Sequence, residues 1–191
     1  MDHKSEEGII KQVLKGNTNG FAVLVDNHKK KVFNLALRIL GNREDAEEVA
    51  QDAFVKAFHS LSKFRGDGPF AGWLLRITYN SALTFLKRKR GNVVPLETPG
   101  IEHQMVNDHP SLSDTLHEAE RKRFIHAALD QLKEEEKAAI TLFYLYGHPI
   151  REIGEIMQMA ESNVKIHLFR GRKRMLTELK KIMKEELIYL L

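Results

Sequence analysis

The chain has 191 residues, 42% hydrophobic and 29% charged, with a formal net charge of +4, no cysteine and one tryptophan. That is room for one or two domains with modest cores, and the lack of cysteine excludes disulfides and thiolate metal sites. No apolar run approaches the ~20 residues needed to span a bilayer, and the polar, partly acidic stretch Met1–Glu7 is no signal peptide, so a cytoplasmic protein with no membrane insertion of its own is expected.

In chain order, Ile9, Ile10, Val13 and Leu14 recur at helical spacing between Glu6 and Lys15, and Gly16-Asn17 stops that helix. A second helix is predicted over 19–40, with Phe21, Leu24, Val25, Val32, Leu35, Ala36 and Ile39 inward and Lys29, Lys30 and Lys31 outward. Gly41 follows it, in the usual position past a helix end. A third helix, 45–61, buries a stripe of Ala46, Val49, Ala50, Ala53, Phe54, Ala57, Phe58 and Leu61. Its outer face carries Glu47, Glu48, Gln51 and Asp52, an acidic patch in a basic protein.

Next comes a tight loop, 62–70, with Gly66, Gly68 and Pro69 between Phe64 and Phe70. The helix after it ends in Lys87-Arg88-Lys89-Arg90. Leu74, Ile77, Ser81 and Phe85 share one side of it, and Trp73, Arg76, Asn80, Thr84 and Lys87 share another. An aromatic, two cations and an amide on one stripe suit a nucleic acid strand, because cations meet phosphates, aromatics stack on bases and amides bond base edges. The same stripe also fits an amphipathic helix with a solvated polar face.

Charge divides the chain. Residues 1–90 hold 16 Lys and Arg against 10 Asp and Glu, residues 91–114 hold none against four, and residues 115–191 hold 14 against 12. The middle stretch contains Pro95, Pro99 and Pro110 without periodicity and reads as a linker. The expected organisation is all-α: a helical bundle over 1–90, a linker over 91–114, and a second helical domain over 115–191.

That second domain opens with a helix from about Asp114 through Leu132, carrying Phe124, Ile125, Ala128, Leu129 and Leu132. A largely apolar helix, 134–146, ends at Gly147. A short helix over 150–157, a break over 158–160 and a long helix over 161–190 follow, with Ile153, Ile156, Val164 and Leu168 packing the pair. This is the pattern of a helix-turn-helix. Its second helix carries Asn163, Lys165, His167, Arg170, Arg172, Lys173 and Arg174, suited to base edges near its start and phosphates further on. A helical hairpin with a solvated basic face is the alternative.

No phosphate-binding GxxxxGK[ST] loop, GxSxG elbow or helical His pair occurs. His103, His109 and His117 cluster loosely, without metal-site spacing. The expectation is a non-enzyme with no cofactor and no metal.

The segments EDAEEVAQDAFVKAFHSLSKFRGDGPFAGWLLRITYN and LDQLKEEEKAAITLFYLYGHPIREIGEIMQMAESNVKIHLFRGRKRM closely resemble the two domains of extracytoplasmic-function sigma factors of bacterial RNA polymerase. The resemblance runs from about Gly20 to Leu179. It implies a promoter-specificity subunit that binds core polymerase and melts promoter DNA. Asp45, Glu48, Gln51 and Asp52 match the helix that docks on the clamp helices of the largest subunit, with the flap of the second subunit as a further contact. Phe64 and its loop, including Arg65, together with Trp73, Arg76, Asn80 and Lys87, match the surface that captures a base from the melted −10 element. Asn163, Lys165, His167, Phe169, Arg170, Arg172 and Lys173 match the helix that reads the −35 element.

Three positions depart from the family pattern. Gln158 stands where relatives usually have glycine. Ala160 or Glu161 stands where Ser or Pro commonly caps the recognition helix, so Ser162 is expected to cap one turn later. Ile166 stands where a small or hydroxyl residue commonly follows Lys165. An inhibitory anti-sigma factor is a further expected partner, since the sequence has no long N-terminal extension to mask its own DNA-binding surfaces. A stand-alone helix-turn-helix regulator would explain the C-terminal half but not the acidic helix and loop, and an RNA-binding adaptor would not explain the helix-turn-helix.

Overall fold

The computed structural model describes residues 3–91, 121 and 123–189, and every regular element among them is helical. The N-terminal half is α1 (His3–Leu14), α2 (Asn19–Leu40), α3 (Arg43–His59) and α4 (Phe70–Gly91), with a 3-10 turn at Leu61–Lys63 before α4. The C-terminal half is α5 (residues 123–130), α6 (Glu134–Ile140), a π-helical turn at Thr141–Leu145, α7 (Ile150–Met157) and α8 (Glu161–Tyr189). The expected linker lies almost wholly outside the described residues, as do His103, His109 and His117.

Local chemistry sets the boundaries. Gly41 adopts the left-handed conformation (φ 71°), and its N–H donates to the Leu37 carbonyl, closing α2. Asn42 then accepts from the Asp45 N–H at 2.8 Å and caps α3. Inside the bundle, α2 packs against α3 and α4 around Leu24, Val32, Ala53, Leu61 and Leu74.

The interior of α2 differs from the periodicity reading at one place. Val25 is only half-buried, and His28 takes an interior position, its Nε2 2.9 Å from the buried Glu6 carboxylate and its ring 5.5 Å from Phe70. Each polar group supplies the partner the other needs, so burial is tolerated. On α3 the stripe ends earlier than expected: Phe58 is exposed, edge-on to Phe21, and Leu61 enters the core from the 3-10 turn.

The predicted helix over 134–146 divides. After Ile140 the chain widens into the π turn, which leaves Tyr144 and Leu145 on the surface although the sequence there is apolar. Ser162 does not cap α8 one turn late: the Val164 N–H already donates to the Ala160 carbonyl, so the helix begins at Glu161.

The two halves share a core. One continuous apolar cluster joins Leu35, Ile39, Leu75, Tyr79 and Ala82 to Leu129, Leu142, Ile153, Ile156 and Met157. Helix α7 lies against α4, and α6 lies against α2. Polar contacts rim this junction: Arg90 with Glu134, the Tyr146 hydroxyl donating to the Lys31 carbonyl at 2.7 Å, and Arg38 with His126. Burial lowers the Arg38 pKa against the opposing pull of Asp130, and burial together with Glu135 pushes Tyr79 up to about 12.

Gly154 allows the close turn between α7 and α8, since a Cβ at that position would sit 2.9 Å from the Met159 carbonyl oxygen. Gly154→Ala should therefore cost about 1–3 kcal/mol through overpacking, read as a melting temperature lowered by several degrees in a circular dichroism scan. An unchanged melting temperature would show that the turn has slack.

Candidate nucleic-acid interface

The loop before α4 is built around aromatic packing. Phe70, 2% exposed, anchors it, with Phe64 at 5.6 Å edge-on and Trp73 at 5.6 Å; Phe64 and Trp73 are 5.4 Å apart. Gly66 holds a positive φ of 78°, which turns the chain between the aromatics. Phe64 and Trp73 are half-buried, so each keeps ring surface available, while Arg65, Arg76 and Lys87 are exposed. Asn80, half-buried, lies one turn beyond Arg76. The sequence-predicted stripe is thus brought together on one side of α4, beside a cavity of about 380 Å³ lined by Phe64, Arg65, Trp73 and Arg76.

The opposite wall of that cavity was not legible in the sequence. Glu152, Glu155 and Ile156 of α7 form it. Where α7 ends, Gln158 adopts the left-handed conformation at φ 56°, the non-glycine residue among those described to do so. A side chain there costs about 1–2 kcal/mol that glycine would not. The Gln158 amide lies against Arg76 and Asn80; assigned with its oxygen toward α4, the orientation that matches donors to acceptors, it accepts from Arg76 Nε at 2.7 Å, Arg76 Nη2 at 2.9 Å and Asn80 Nδ2 at 3.1 Å.

The acidic face of α3 is also in place. Glu47, Glu48 and Gln51 are exposed. Asp45 is drawn toward Lys89 at 2.6 Å and Asp52 toward Lys56 at 2.6 Å, so two of the four expected docking groups are already paired within the chain.

On α8, Val164, Leu168 and Gly171 are buried. Asn163, Lys165, Phe169, Arg170, Arg172 and Lys173 are exposed on the rest of the helix, and His167 is half-buried. Two details go beyond the sequence pattern. Ile166 is exposed among these groups. Arg174 instead turns inward, 3.4 Å from the Glu136 carboxylate, which is 2% exposed and also accepts the Lys133 N–H at 3.2 Å. Arg172 leans to the other side, its Nη1 3.4 Å from the Tyr144 hydroxyl. There the π turn and α8 enclose an apolar groove of about 320 Å³, lined by Ile125, Leu129, Tyr144, Leu145, Leu176 and Leu179. The Thr141 hydroxyl in its wall is buried without a partner.

No group of three or more His, Asp or Glu among the described residues is arranged to hold a metal ion. None of the described helices is long and apolar enough to cross a membrane.

A two-part helical protein, with an aromatic loop and basic helix in one half and a basic helix-turn-helix in the other, is the architecture of a transcription initiation factor. Sigma-70 region 2 matches residues 24–91, and Sigma-70 region 4 matches residues 123–175. The chain is 32% identical over 177 residues to the extracytoplasmic-function (ECF) sigma factor SigW of Bacillus subtilis, covering 90% of this chain and 95% of that one. It is 29% identical over 175 residues to the ECF sigma-E factor of Escherichia coli K12, covering 88% and 91%. Among solved structures, the sigma factor RpoE in complex with the anti-sigma factor NepR, from Bartonella quintana, superposes with a TM-score of 0.66 at 22% identity, covering 84% of this chain and 96% of that one. CnrH in complex with the cytosolic domain of CnrY gives 0.63 at 21%, covering 91% and 96%. The chain belongs to the ECF sigma factors of RNA polymerase.

Because Glu136 serves both the Arg174 guanidinium and the Lys133 N–H, Glu136→Ala should cost about 1–3 kcal/mol. The expected reading is an earlier thermal transition, and Arg174→Ala should also lower it, because the buried Glu136 carboxylate then loses its cation. An unchanged transition in both variants would place the main stabilisation outside the Glu136 cluster.

Proposed function

We propose that this sigma factor divides its work between a polymerase- and −10-binding unit, residues 1–90, and a −35-binding unit, residues 115–191, joined by a linker over 91–114. It works with core polymerase in the cytoplasm, as a specificity subunit and not as a catalyst. The observation that carries the reading is the packing of Phe64, Phe70 and Trp73 beside Arg65, Arg76 and Asn80. Half-exposed rings, cations and an amide are the groups that hold an unstacked base and its flanking phosphates. Melting costs roughly 1.4 kcal/mol per base step, and stacking of about 1–3 kcal/mol per captured base offsets it.

In this reading Asp45, Glu48, Gln51 and Asp52 meet the clamp helices of the largest subunit. The apolar groove between the π turn and α8 suits a helix of the second subunit's flap. Lys165, Phe169 and Arg170 enter the major groove of the −35 element, with Asn163, His167, Arg172 and Lys173 around them. Ile166 beside Phe169 adds apolar surface suited to a thymine methyl. An anti-sigma factor competing for the α3 face and the exposed apolar groove completes the partners.

Reversing Glu48 and Asp52 to Lys should abolish co-purification with core polymerase while leaving the circular dichroism spectrum unchanged; retention at wild-type levels refutes the docking face. Asn80→Ala should weaken capture of a single-stranded −10 oligonucleotide and spare duplex −35 binding, and Arg170→Ala should do the reverse and lower the salt slope by about one. Equal effects of both changes on both probes would refute the division. Run-off transcription from a pre-melted promoter bubble with purified core enzyme tests the whole assignment.

A further inference from the structure

Helix α1 reaches the aromatic loop through a buried polar pair. Glu6 and His28 are 8% and 7% exposed, and His28 Nε2 lies 2.9 Å from the Glu6 carboxylate. An ionised carboxylate only accepts, so Nε2 donates and the ring is held by that edge. The ring lies tilted against Phe70, 5.5 Å between centroids, and Phe70 in turn meets Phe64 and Trp73, each at 5.6 Å. Helix α1 also lies against the 3-10 turn at Leu61–Lys63, where the Phe64 N–H donates to the Leu61 carbonyl at 3.0 Å. Both ends of the loop therefore rest on α1, one through the turn and the other through His28. We infer that α1 is a working part of the strand site, in which Glu6 and His28 are positioning residues that set Phe70, and through it Phe64 and Trp73, to receive an unstacked base. This rests on the reading of those aromatics as the strand-capturing surface.

Three observations carry it. The pair is buried beside an apolar cluster that holds Ile10, Leu24 and Phe70. Two apolar side chains fill such a place with no loss of stability, so an ionisable pair there points to a requirement on arrangement. The seat of α1 is also close: a Cβ on Gly20 would stand 3.1 Å from Val13 Cγ2 and 3.3 Å from Ile9 Cγ2. A helix pressed that near passes a shift to its neighbours instead of absorbing it. Lastly, the loop turns at Gly66 and contains Gly68, so its own backbone supplies little stiffness. The anchoring of Phe70 then decides where the exposed rings stand.

Trp73 is the chain's one tryptophan and reports on the loop directly. Glu6→Leu leaves the buried His28 N–H without its acceptor. In the full chain carrying this change, acrylamide should quench Trp73 more strongly than in the wild type. In holoenzyme reconstituted with core polymerase, a short single-stranded oligonucleotide of randomised sequence is crosslinked to this chain with ultraviolet light. The yield per bound chain should fall about fivefold, the equivalent of one lost hydrogen bond. Glu6→Gln, which keeps an acceptor at the same reach, should restore both readings. Changing Glu6 and His28 to Leu together removes both polar groups, so that variant should melt no earlier than the wild type. It should still quench and crosslink as Glu6→Leu does. Wild-type readings in Glu6→Leu overturn the inference. Recovery in the double variant overturns it as well, since the pair would then only fill space, and so does a loss that Glu6→Gln fails to restore. The strand-site reading is judged separately by Asn80→Ala alone: if crosslinking stays intact there, that reading fails instead.

Discussion

Helix α4 is asked to serve three surroundings at once, and the rest of the molecule is arranged to let it. Phe70 and Leu74 pack into the first bundle, whereas Leu75, Tyr79 and Ala82 belong to the cluster that continues into the C-terminal half. The strip from Trp73 through Asn80 to Lys87 is the part of α4 proposed above to meet a nucleic acid strand. Burial on two sides leaves polar groups few choices: the Thr78 hydroxyl donates to the Leu74 carbonyl at 3.0 Å, and Ser81 accepts from Lys56 at 3.1 Å. A helix packed on two sides in this way holds the aromatic loop before it in place. Rigid placement of that kind reduces the ordering cost of capturing a flexible strand.

Much of this was legible in the residue pattern, and the exceptions have physical reasons. The bounds of α2 and α7 follow from glycine and proline punctuation and from apolar spacing. The interior place of His28 did not follow, because its burial depends on Glu6, 22 positions away. The π turn escaped for a related reason: Leu142 through Leu145 reads as a buried stripe, and periodicity does not register one added residue in the turn. For the site, the α4 stripe and the basic face of α8 were visible as spacing, since each lies on one helix. The acidic wall of α7 was not, because the packing of two distant helices against each other leaves no trace in local periodicity.

Cations in this chain are divided between holding the fold and facing outward. Lys56, Lys89, Arg90 and Arg174 are engaged with Asp52, Asp45, Glu134 and Glu136, so the number of cations overstates how many are free to meet a polyanion, while the net excess is unchanged. Most of these pairs are partly exposed and contribute little individually. Arg174 and Glu136 are the exception in placement, since one of the two is fully buried and would be left uncompensated without its neighbours.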